Sequence, residues 1–132
     1  MNRHPRPLKN ACLALLALAV FGAAPEGVRA AGIGFRNDLA IPIIVQGESK
    51  VKGNLRRGSP LLIHPGKTVW DTNVPEGDRR VIIYEANQPN RVLFRDILRV
   101  EMADQAFRVV PVRVPPGAPP KALLLKIALP PQ

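Results

Sequence analysis

From Gly32 onward the chain reads as short runs of alternating apolar and polar residues, each closed by Gly, Pro, Asn or Asp. The strongest pair of runs is Val81–Tyr84 and Val92–Phe94, within the segment Arg79–Asp96, on either side of the turn-rich quartet Asn87-Gln88-Pro89-Asn90. β-Branched and aromatic residues flanking such a quartet predict a β-hairpin with a four- or five-residue loop. Phe94 and Ile82 are its expected buried residues. Upstream, Ile33 and Phe35 mark a first short strand, and Asn37-Asp38 a turn in which the side chains bond their own backbone. Ile41, Ile43 and Val45 alternate with Pro42 and Gln46, which predicts a half-buried strand. Pro42 donates no ladder bond, so that strand is expected either to be an edge strand or to form an edge at its first residues.

Gly47-Glu48-Ser49 reads as a turn, and Lys50–Leu55 as a weak charged strand. Leu61–His64 and Thr68–Asp71 are two short strands separated by the turn signal Pro65-Gly66. Thr72–Asp78 reads as a Pro/Gly loop. Val92–Val100 has two readings. As a strand it continues the hairpin; as a helix it carries a stripe of Phe94, Ile97, Leu98 and Met102 with Asn90 as cap. The β-branched content favours the strand. Gln105–Val114 is apolar on both faces and is expected at a central position. Pro115–Pro120 reads as a stiff extended linker, and Lys121–Leu129 as a last strand or tail. About seven short strands at intervals of about ten residues predict an all-β fold, a single antiparallel β-sandwich.

The first thirty residues belong to a different class. Arg3, Arg6 and Lys9 precede the apolar stretch Ala11–Ala24, and Val28-Arg29-Ala30 supplies the small residues of a cleavage site, expected between Ala30 and Ala31. Residues 1–30 are therefore read as a secretory signal, 31–114 as the sandwich domain, 115–120 as the linker and 121–132 as the C-terminal strand or tail. The destination is the periplasm, the cell surface or the extracellular space, with no stable membrane span once the signal is gone. The single cysteine, Cys12, departs with the signal, so the exported chain has no disulfide or thiol chemistry.

Charge then narrows the class of partner. Removing Arg3, Arg6, Lys9, Arg29 and Glu26 from 19 basic and 10 acidic residues leaves 15 and 9, a net charge of +6. Such a balance favours an acidic partner, either an envelope protein or an acidic surface polymer. Arg79, Arg80, Arg91, Arg95 and Arg99 cluster around the hairpin and form a candidate basic stripe beside Tyr84. Few aromatics interleave with it, which argues against nucleic acid.

The inventory for catalysis is thin. Beyond the signal the hydroxyl side chains Ser49, Ser59, Thr68 and Thr72 all fall in or beside turns, and His64 is the only histidine. No Gly-x-Ser-x-Gly and no zinc-binding histidine pair is present, and no loop carries the alternating oxygen ligands of a calcium site. No catalytic residue, metal site or cofactor is therefore expected. Asp71, Glu85 and Asp96 stay open as a glycosidase-type carboxylate pair, if two of them face one cleft. The reading is a non-catalytic binding or scaffolding module. The alternatives are a small glycan hydrolase, or a structural oligomer joined through the edge strand at Ile41.

The segments Phe35-Arg36-Asn37, Pro42–Gly47, Arg57-Gly58, Pro65-Gly66-Lys67, Tyr84–Asn87 and Val92–Asp96 together resemble a group of small exported bacterial proteins. The resemblance spans about Phe35 to Pro111 and implies no catalytic or ligand residues. The order of a Phe-x-Asn start, a Pro-Gly turn and Leu93-Phe94-Arg95-Asp96 is more distantly similar to the β domain of the von Hippel–Lindau tumour suppressor. That similarity implies a sandwich and nothing about peptide binding.

Overall fold

The computed structural model describes residues 30–131. The signal segment lies outside the described residues except for Ala30, which opens the first strand. Nine strands follow in order: β1 (Ala30–Asn37), β2 (Ile43–Val51), β3 (Asn54–Arg57), β4 (Leu61–Ile63), β5 (Thr68–Pro75), β6 (Gly77–Glu85), β7 (Gln88–Val100), β8 (Gln105–Val112) and β9 (Lys121–Ile127). They form two packed sheets. One has the order β5-β1-β8-β9; in the other, β2 pairs with both β3 and β4 on one side and with β6 on the other, and β7 follows β6. The expected β-sandwich is what these residues build. Every pairing is antiparallel except β1 with β8, which run parallel.

The hairpin of β6 and β7 carries most of the second sheet. Its turn is tighter than the four- or five-residue loop expected, because only Ala86 and Asn87 lie between the strands. Gln88, Pro89 and Asn90 belong to β7, and the surplus is absorbed by register shifts between Ile83 and Glu85. Val92–Val100 is strand throughout, paired to β6 from Tyr84 to Gly77, so the helical reading fails. An amphipathic stripe cannot compete with a partner strand that accepts the whole ladder.

The core lies between the sheets and holds Ile33, Phe35, Ile43, Val45, Ile63, Val81, Ile83, Val100 and Val109. Phe35 stacks on Phe107 with ring centroids 6.2 Å apart, across the parallel β1–β8 pair. Phe94 packs against this core as expected. Ile82 does not. Val81 and Ile83 are the buried apolar residues of β6, and the period of two turns Ile82 to the outer face.

Several boundaries differ from the sequence reading. Gly47-Glu48-Ser49 is no turn but buried strand, paired to β6 through Ser49 and Arg79. The chain reverses instead at Lys52-Gly53, both with positive φ, before β3. Thr72–Asp78 is also strand apart from Glu76, the single residue between β5 and β6. The strand containing Ile43 is interior, flanked by β4 and by β6, so it offers no edge for assembly. Pro42 precedes the ladder, and its carbonyl accepts the Ala86 N–H at 3.0 Å. Pro115–Pro120 turns rather than running extended: the Ala118 N–H bonds the Pro115 carbonyl, and β9 folds back on β8 as a hairpin. The expected Asn37 turn is present. Asn37 is fully buried; its Oδ1 accepts the Leu39 N–H, and its Nδ2 donates to the carbonyls of Ile41 and Ile63.

Candidate binding face and cleft

Residues opposite one another in an antiparallel ladder share a face, so the registers assign every side chain of the second sheet to its core or solvent side. On the solvent side one row crosses four strands: Leu62 (β4), Ile44 (β2), Tyr84 (β6) and Val92 (β7). Strands about 4.8 Å apart make such a row a continuous apolar strip. Ile44 and Tyr84 are half-buried, while Leu62 is 52% and Val92 38% exposed. The next row runs Gln46, Ile82, Arg95, and the one after it Arg57, Glu48, Arg80, Ile97, with Ile97 60% exposed.

The five arginines of the expected stripe are divided by the same registers. Arg80, Arg95 and Arg99 lie on this outer face. Arg80 stands 3.9 Å from Glu48, which Arg57 holds at 2.8 Å, and Arg99 pairs with Asp78 at 3.4 Å. Among the described residues Arg95 has no ion-pair partner. Arg91 is turned to Glu85, 3.2 Å away. Arg79 leaves the stripe altogether, since it points into the sandwich and is 4% exposed. Counting Lys50, Arg57, Arg80, Arg95 and Arg99 against Glu48 and Asp78, the outer face carries a net charge of +3.

Arg79 shares the inward face of β6 with Val81 and Ile83, so strand parity alone directs it to the core. Its guanidinium donates to Ser49 Oγ on β2 and to Asp71 Oδ2 on β5, each at 2.8 Å. The second bond joins the two sheets. Room for the group comes from Gly47 and Gly58. A Cβ on Gly58 would sit 2.6 Å from Arg79 Nη2, and one on Gly47 closer still to Nε and Nη2. This pair forms the floor of a cleft of about 570 Å³ between the β3/β4 edge of one sheet and β5 of the other.

The sequence singled out Asp71, Glu85 and Asp96 as a possible carboxylate pair, and the fold does not bring them together. Asp71 is tied to Arg79 at one end of β6, while Glu85 lies at the other end with Arg91. Six residues of strand separate Arg79 from Glu85, about 20 Å. Asp96 sits on the outermost strand and accepts the Ile97 N–H. His64 is exposed beside the Pro65-Gly66 turn. Among the described residues no group of three His, Cys, Asp or Glu is placed to hold a metal ion.

One further charged cluster stands apart from both regions. Asp38 accepts from Arg108 Nε and pairs with Arg36 at 2.8 Å. The Arg108 hydrogen bond first, then the positive charges of both arginines, hold its carboxyl below the ordinary carboxylate value, against the opposing effect of burial. No protein-family model matches this chain, and no curated protein matches its sequence.

Proposed function

We propose that this chain is an exported, non-catalytic binding module that docks an acidic envelope protein on the outer face of the β2–β6–β7 sheet. The observation that carries the reading is the row Leu62, Ile44, Tyr84, Val92, an apolar strip on the solvent side of a sheet. Apolar residues scattered singly on a surface need no explanation, but a contiguous strip bordered by polar groups is characteristic of an interaction site. Tyr84 at its centre offers area with little entropy to lose, and arginine is the charged residue most enriched in energetic centres of interfaces. Arg95, which has no ion-pair partner among the described residues, adds a cation beside the strip, and the face as a whole is positive, which selects for acidic residues on the partner. Export is supported by the N-terminal pattern alone. Among the described residues no helix is long and apolar enough to cross a membrane.

The test is capture from envelope extract with the purified protein as bait, compared with Tyr84→Glu, Arg95→Glu and a control, Leu125→Glu, on the opposite sheet. An acidic protein retained by wild type and the control but lost from both face variants supports the reading. Capture that the face variants leave unchanged contradicts it.

A further inference from the structure

The outer face of the other sheet, β5-β1-β8-β9, carries a platform of its own. β1 lies between β5 and β8. Ile33 and Phe35 fill the core, so Gly32 and Gly34 are the solvent-side residues of that stretch. Glycine weakens a strand interior and often marks a close approach by another group. Here the group is Trp70, opposite Gly34 in the ladder. A Cβ on Gly34 would fall 2.9 Å from Cε2 and Cζ2 and 3.1 Å from Cδ2, so the indole lies flat on bare backbone. The inner ring face is covered, yet the residue is 43% exposed. The surface it shows is therefore the outward face and rim of the ring.

Polar groups gather round that platform. Asp71 pairs inward with Arg79, and Val74 is buried in the core. Strand parity alone would place a single outward residue between two inward ones. The bulge in β5 opposite Ala31–Ile33, where Asn73 adopts φ 60°, supplies a second, so Thr72 and Asn73 are both exposed there. Across β1, Asp104 Oδ1 accepts the Gly32 N–H at 2.8 Å. That oxygen and Trp70 Cε3 lie 3.1 and 3.5 Å from where a Gly32 Cβ would stand, so carboxylate and indole meet over one glycine. Leu129 and Pro130 help to close a cavity of about 580 Å³ around these groups, within the range of about 300–1,000 Å³ typical of small-ligand sites.

This combination is selective. No Lys or Arg lines the cavity, so an anion would meet Asp104 as a like charge. A simple cation would engage the indole face and Asp104 and leave Thr72 and Asn73 unused. A neutral sugar uses every group. Its C–H face suits the negative face of the indole, and its hydroxyls donate to Asp104 while exchanging hydrogen bonds with the Asn73 amide and the Thr72 hydroxyl.

We propose that this cavity binds a neutral saccharide, stacked on Trp70 with its hydroxyls on Thr72, Asn73 and Asp104. The site lies on the opposite sheet from the docking face and stands if that face has no partner. Trp70 is the only tryptophan, so its fluorescence reports occupancy directly. The experiment titrates the purified protein with cellotriose, mannotriose, galactotriose and triacetylchitotriose, with a galacturonate trimer and tetramethylammonium as comparisons, and repeats each by calorimetry. At least one neutral trimer should give a saturable change in both measurements. Asp104→Asn keeps an oxygen for the Gly32 N–H but removes the charged acceptor, and should weaken binding about tenfold or more. Asn73→Gly tolerates the positive φ and removes the amide, and should weaken it about two- to tenfold. The Tyr84→Glu face variant should leave it unchanged. No saturable response to any of the four neutral trimers overturns the proposal. So does equal binding of tetramethylammonium or the galacturonate trimer, or an affinity that either cavity substitution leaves unaltered.

Discussion

Replacing Gly47 by alanine should destabilise the protein strongly, although local propensity predicts the reverse. Glycine inside a strand costs roughly 0.5–1 kcal/mol relative to alanine, so on backbone grounds the change is favourable. The added Cβ, however, falls on the Arg79 guanidinium, closer than the 2.6 Å at which a Cβ on Gly58 meets it. The group must leave its slot and lose its bonds to Ser49 and Asp71, both 2.8 Å. Removing one partner from a buried ion pair costs about 3–5 kcal/mol, and partial rehydration of Asp71 sets the cost at the low end. After the backbone gain, a net loss of about 2–3 kcal/mol remains. For a domain near 100 residues that lowers Tm by about 10 °C or more. Urea denaturation followed by Trp70 fluorescence measures it, with Gly47→Ala made in wild type and in Arg79→Ala. In the second background the slot is empty, so the substitution should be neutral or slightly stabilising. A loss below about 1 kcal/mol in wild type, or the same loss in both backgrounds, refutes the reasoning, because two residues in contact must show a coupling energy.

Other consequences follow from the same geometry. Asn37→Ala removes three hydrogen bonds and leaves the Ile41 and Ile63 carbonyls without their partner, so urea denaturation should show a loss of about 3 kcal/mol or more. Asp38 has its folded pKa below the ordinary 3.8, so the unfolded chain holds the proton more tightly. Its contribution is therefore complete above the unfolded pKa and is lost as pH falls through the folded one. The stability gap between wild type and Asp38→Asn should be full at neutral pH and close below pH 3.8; a gap that widens in acid contradicts the assignment. Arg95→Glu, at an exposed position without an ion-pair partner among the described residues, should change stability by no more than about 0.5 kcal/mol, so any loss of capture it causes belongs to binding and not to folding.

The parts of this structure that were legible in the sequence are those set by neighbours along the chain. The β6–β7 hairpin, the Pro65-Gly66 turn and the Asn37 turn each follow from residues within a few positions of one another. The central place of β8 was visible in the apolar residues on both its faces. What was not legible depends on contacts across the fold. Gly47 and Ser49 read as turn formers, yet Gly47 is small because Arg79, distant in sequence, lies against it. Arg79 itself read as a member of a surface stripe, since a run of arginines beside a hairpin is usually solvated. Its spacing of two and four from Val81 and Ile83 was the available signal, and it needed Asp71 as a visible counter-charge to be believed. Thr72–Asp78 read as a loop on the strength of Pro75 and Gly77, which instead sit at the adjoining ends of two strands. The outer-face row of Leu62, Ile44, Tyr84 and Val92 draws one residue from each of four strands. It exists only once the registers are fixed.

The central claim is that the outer face of the second sheet is a docking site for an acidic protein. A photo-crosslinking side chain placed at Leu62, Val92 or Ile97, and for comparison at Leu125 on the other sheet, tests it in the cells that make the protein. One acidic protein joined from all three face positions and absent from Leu125 is the result expected. Adducts of equal yield from both sheets, or none from the face, contradict it.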